Sequence, residues 1–180
     1  MPIWSILHTR CMESCFRPLV SVRAFAKEQY FEEEIQMVGI LITGHGNFPS
    51  GALSAVNLVA GNPGNVSAVD FVEGMSAEEM KVKMEAVMNG IEASEILVLA
   101  DLAGGTPFRT AVELKMVMTD KNIRVIAGAN MPALMEAALS ADIMDLAELA
   151  PDVAQTAAEG IVDWDAQDDD SEEPEFEDGL

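Results

Sequence analysis

Residues 37–162 contain a single histidine, His45, held between two glycines in the run Thr43-Gly44-His45-Gly46. Glycines on both sides remove side-chain bulk, so an imidazole here is open to a large incoming group, which suits group transfer. Asp101 opens a second glycine-rich run, Asp101-Leu102-Ala103-Gly104-Gly105-Thr106-Pro107-Phe108-Arg109. A carboxylate that accepts the proton of one ring nitrogen fixes the tautomer and leaves the other nitrogen as a lone-pair nucleophile. It also stabilises the positive charge that develops on the ring during attack. Gly104-Gly105-Thr106 leads into a helix expected near Pro107, and free amides at the positive end of a helix dipole hold phosphate. Thr43 and Thr106 supply hydroxyls, and Arg109 places a cation near the rim. Thr43, Gly44, Gly46, Gly104, Gly105 and Thr106 are therefore the expected phosphate cradle around a nucleophilic His45 oriented by Asp101. Each alone is ordinary turn chemistry, but their convergence on one edge is not.

Positioning these groups requires strands that end together. Short β-rich apolar runs at 38–43, 66–71, 96–100 and 123–127 have the length of buried strands. They alternate with helical stretches at 50–60, 76–90 and 107–119, followed by two more near 132–140 and 142–159. This alternation predicts a doubly wound α/β fold with a mostly parallel sheet and helices on both faces. Ligands of such sheets bind beyond the carboxyl ends of the strands, and both glycine-rich runs follow a strand. His45 and Asp101 meet if the first and third strands are neighbours. Ser76-Ala77-Glu78-Glu79 has the pattern of a capping box, and Pro107 lies where a first helical turn tolerates proline.

The 180 residues allow one compact domain and little else. Acidic side chains number 31 against 10 basic, a formal charge of −21. Such a chain is repelled by phosphate backbones and anionic lipid, which argues against nucleic acid or a membrane surface as its partner. A basic protein partner, docking on an acidic rim, fits better. The two cysteines, Cys11 and Cys15, complete neither a zinc site nor a disulfide framework, and point to a reducing compartment. Residues 1–36 have no clear period. They weakly resemble a transit peptide and are read here as an extension ahead of a start at Met37, dispensable for function. Residues 163–180 carry ten acidic and no basic side chains, and self-repulsion is expected to leave them disordered.

Gly44-x-Gly46 and Asp70 raise the alternative of a dinucleotide site, but the third glycine, Gly51, falls two positions late and Pro49 interrupts the turn. No phosphate-loop motif is present. One histidine and no cysteine in 37–162 leave little for a transition metal, so neither a metal nor a cofactor is expected.

Three motifs carry a family resemblance: Thr43-Gly44-His45-Gly46, Asp101-x-x-Gly104-Gly105-Thr106-Pro107-Phe108, and Val125-Ile126-Ala127-Gly128-Ala129-Asn130-Met131-Pro132. Over about 37–162 the chain resembles the enzyme IIA component of the mannose family of the bacterial phosphoenolpyruvate-dependent sugar phosphotransferase system. The resemblance implies that HPr phosphorylates His45 on Nε2, that Asp101 holds Nδ1, and that enzyme IIB receives the phosphoryl group. It further implies sheet order 2-1-3-4, a homodimer completed by an exchanged antiparallel strand, and a cytoplasmic phosphotransferase that meets the membrane only through the IIC/IID permease. Its alternatives are a phosphoryl donor to a dihydroxyacetone kinase and, from another class, a module whose phosphorylation state is sensed. The sugar is not legible, although the wording around His45 leans toward N-acetylgalactosamine systems.

Overall fold

The computed structural model describes residues 37–166. Four strands, β1 (Gly39–His45), β2 (Val66–Phe71), β3 (Glu95–Ala100) and β4 (Asn122–Ala127), form one parallel sheet of order β2-β1-β3-β4. Helices α1 (Phe48–Ala60), α2 (Ala77–Gly90), α3 (Thr106–Val117), α4 (Met131–Ser140) and α5 (Leu146–Glu159) cover both faces. The expected fold class and strand order are thus observed.

The period-two alternation of the central strands divides the core in two. Ile40 and Ile42 of β1 and Leu97 and Leu99 of β3 face a layer built by α1, α4 and α5, with Val56, Leu134 and Val153. Leu41, Ile96 and Val98 point the other way, onto Met80, Met84 and Met88 of α2 and Leu114 of α3. The α2 methionines recur every four residues and are wholly buried, so unbranched thioethers fill this layer.

Local chemistry sets the element ends. The capping box of α2 is formed: Ser76 Oγ accepts from the Glu79 amide at 3.2 Å, and Glu79 Oε2 accepts from the Ser76 amide at 2.8 Å. Pro49, Pro107 and Pro132 each occupy a first helical turn. The last helix starts at Leu146 rather than 142, because Asp145 Oδ1 caps it by accepting from the Ala147 and Glu148 amides. Pro151, inside α5, cannot donate to the carbonyl of Ala147 four residues back. Arg124 Nη1 on β4 donates to that oxygen at 3.2 Å instead. Trp164–Ala166 forms one 3-10 turn at the start of the acidic segment. The readings of residues 1–36 and of the rest of that segment lie outside the described residues.

Candidate active site

β1 runs two residues further than its apolar pattern, so His45 is its last residue, paired in register with Phe71 of β2. The parallel pairing of β1 with β3 brings Asp101 alongside, its amide donating to the Thr43 carbonyl at 3.1 Å. One oxygen, Asp101 Oδ2, then accepts twice from His45: from the backbone amide at 2.8 Å and from Nδ1 at 2.9 Å. A carboxylate only accepts, so Nδ1 carries a proton, and in the neutral ring Nε2 then keeps its lone pair. The imidazole is anchored through its own backbone and its ring, while 44% of its side chain is exposed, against 19% for Asp101. Among the described residues no other cation pairs with Asp101. Its charge therefore acts most directly on the ring that must become positive.

The glycines make room for this contact. A Cβ at Gly44 would lie 2.7 Å from Asp101 Cγ, so residue 44 must lack a side chain for the carboxylate to pass. A Cβ at Gly105 would lie 2.6 Å from His45 Cε1 and 3.3 Å from Nε2. The α3 N-terminus thus comes right up to the nucleophilic nitrogen. Gly105 is the cap of α3 without a side-chain bond, and Gly104 before it takes the left-handed φ of 76°. The amides of Gly105 and Thr106 bond to nothing among the described residues. They are the unspent donors next to Nε2.

Three expected cradle members do other work. Thr43 is buried and its hydroxyl donates to the Val69 carbonyl at 3.3 Å, so it does not reach the cleft. Gly46 spends its amide on the Phe71 carbonyl at 2.8 Å and supplies the left-handed φ of 59° that turns the chain into α1. Gly44 serves the passage of Asp101. Arg109 is exposed in the second turn of α3, with no bond or ion pair of its side chain among the described residues. Phe48, Val72 and Leu102 lie exposed on the three chain segments that carry the site, with exposed Glu73 following Val72.

Two residues were not read from sequence. Phe71 meets the His45 ring edge-on, centroids 5.8 Å apart and planes at 78°, which limits its swing. Asp70, weighed only as part of a nucleotide fingerprint, has its Oδ1 on the Ser50 amide at 2.9 Å and caps α1 from the neighbouring strand. A β-rich run ending in Asp70-Phe71 was visible, but its register against His45 was not. Among the described residues no group of three or more potential metal ligands occurs, and no helix is long and apolar enough to cross a membrane.

The fold is an open doubly wound α/β domain that presents an aspartate-held histidine at the carboxyl edge of its sheet. The EIIA-man family model, described as the PTS system fructose IIA component, matches residues 39–154, and the chain belongs to this family. It is similar to the crystal structure of phosphotransferase system component EIIA from Streptococcus agalactiae, with 41% identity and a TM-score of 0.68 over 73% of this chain and 100% of that one. The fructose-specific EIIA component of Bacillus subtilis is 32% identical over 101 residues, 56% of this chain and 68% of its own length. The mannose-specific EIIAB component of Escherichia coli is 31% identical over 126 residues, 69% of this chain and 38% of its own length. Membership supports a phosphocarrier role in a sugar phosphotransferase system.

Proposed function

We propose that the protein carries a phosphoryl group on His45 Nε2, taking it from phospho-HPr and passing it to an enzyme IIB in the cytoplasm. The reading rests on one observation above all: Nδ1 is bound to Asp101 while Nε2 lies beside Gly105 on a half-exposed ring. Nε2 attacks phosphorus in line, the N–P bond forms as the bond to the donor breaks, and the ring becomes positive while Nδ1 keeps its proton and donates it in the hydrogen bond to Asp101. The unspent amides of Gly105 and Thr106 offer hydrogen bonds to the phosphoryl oxygens. Positioning and charge stabilisation are then the protein's whole contribution, and the reverse step hands the group onward.

The exposed Phe48, Val72 and Leu102 give the donor and acceptor a partly apolar seat around the histidine. The open edge of β4, paired only with β3 among the described residues, supports a homodimer completed by an exchanged strand. The relatives are named for fructose, mannose and sorbose, so no one sugar follows from them. Intact mass after incubation with phosphoenolpyruvate, enzyme I and HPr tests the reading. One acid-labile phosphate is expected on the wild type and none on His45→Ala; labelling that survives the substitution refutes it. Adding purified enzyme IIB should then discharge the label, whereas a sensor would retain it.

A further inference from the structure

A phosphoryl group carries about two negative charges, and on His45 it enters a body with 18 acidic and only six basic side chains among residues 37–166. The amides of Gly105 and Thr106 are neutral donors, and Asp101, bound to Nδ1, adds a further negative charge. A cation beside the phosphoryl oxygens offsets both. Of the six, Lys115, Lys121 and Arg124 lie together near the start of β4, away from the carboxyl edge. Lys81 of α2 is paired with Glu113 of α3 at 3.4 Å. Lys83 follows two residues later, so it does not share the flank of α2 that meets α3. Arg109 remains. Its amide donates to the Gly105 carbonyl at 3.0 Å, which fixes it one turn beyond the residue that abuts Nε2. Four residues rise about 6 Å, and helical side chains lean back over the turn on the amino side of their own Cα. That lean carries the Arg109 guanidinium toward Gly105 and Thr106. Arg109 is exposed, and its side chain has no partner among the described residues. Glu113, one turn further on, is held by Lys81, and a base ahead of its acid is the weaker order for a helical pair.

We propose that Arg109 contacts the phosphoryl group on His45 Nε2 and closes the outer side of the amide cradle. The inference rests on the phosphocarrier reading. A guanidinium offers parallel N–H donors that match two phosphoryl oxygens. It keeps its protons throughout, while the N–P bond forms at Nε2 and the bond to the donor breaks. Unphosphorylated His45 gives it nothing to hold, so Arg109 stabilises the phosphorylated protein over the free one.

The test mixes the full chain with phospho-HPr freed of enzyme I and phosphoenolpyruvate, and reads the equilibrium partition of phosphate by intact mass. Arg109→Gln, at a side chain that makes no bond, should fold normally and shift the partition toward phospho-HPr by about two- to fivefold. Arg109→Lys keeps the charge but loses the fork, and should fall between. Lys83→Gln removes the same charge elsewhere and should leave the partition unchanged. In the isolated wild type, phosphorylation should move the Arg109 Nε NMR signal. A residue that only docks HPr alters both directions of transfer alike and leaves the partition where it was. An unchanged partition for Arg109→Gln, with His45 labelled as usual, would therefore overturn this inference and spare the phosphocarrier reading. So would an Arg109 signal that phosphorylation leaves unmoved. No label on the wild type, or a label that survives His45→Ala, would overturn that reading and this one with it.

Discussion

Replacing Gly105 by alanine tests the reasoning at its narrowest point. The backbone of Gly105, at φ −67° and ψ 167°, accepts alanine without strain, so only the added methyl matters. That methyl would lie 2.6 Å from His45 Cε1, whereas carbon atoms pack at about 3.5–4.0 Å. The ring must retreat by about 1 Å or turn away from Asp101. Being 44% exposed, it has room to do so, and the fold should survive. A glycine-to-alanine change at a helix cap costs about 1 kcal/mol or less, a few degrees in melting temperature. Losing the charge-assisted bond to Asp101 costs about 1.5–3 kcal/mol, which predicts phosphorylation slower by about 10- to 150-fold. Rapid-quench transfer from phospho-HPr, read by intact mass, measures the rate, and the melting temperature controls for folding. Gly51→Ala, where a Cβ meets nothing within 4 Å, should leave the rate unchanged. A normally stable Gly105→Ala protein phosphorylated at the wild-type rate would show that the α3 N-terminus does not bound the site.

Asp101→Asn can still present one oxygen to both His45 donors but lacks the charge that steadies the positive ring. Charge-assisted bonds are about twice as strong as neutral ones, so transfer should slow by about tenfold in the same assay, with Asp101→Ala slower again. Asp70→Ala removes the cap on the Ser50 amide and should lower stability by about 1 kcal/mol, read as a shifted urea midpoint with an unchanged slope. The capping bonds from Ser76, backbone first and then side chain, hold the Glu79 carboxyl below its ordinary pKa. A group depressed in the folded state contributes stability above its unfolded pKa and loses it as the pH falls through the folded one. Urea unfolding across the acid range should therefore show a shallower decline for Glu79→Gln than for the wild type.

Much of the frame was legible because it depends on neighbours along the chain. The β-rich runs, the capping box at Ser76 and Glu79, and the prolines at first turns all report local preferences, and each element formed within a few residues of its expected place. The glycine-flanked His45 and the Gly104-Gly105 turn were also visible, since steric access and turn geometry are written in residue type. The pairing of strands separated by helices was not, and most of the site depends on it.

Asp101 meets His45 across 56 positions because β3 lies beside β1. The same sheet turns Thr43 inward, onto the carbonyl of Val69, so a hydroxyl that looked available at the end of a strand is spent in the core. Asp70 is tied to α1 because β2 flanks β1 on its other side, and Arg124 meets the carbonyl that Pro151 leaves unpaired only because α5 packs across the end of β4. Sequence alone determined which groups could perform phosphoryl chemistry and which segments would carry them. Tertiary structure decided which groups are spent and which remain free, because a hydrogen bond between distant residues exists only once the sheet has set the order of its strands.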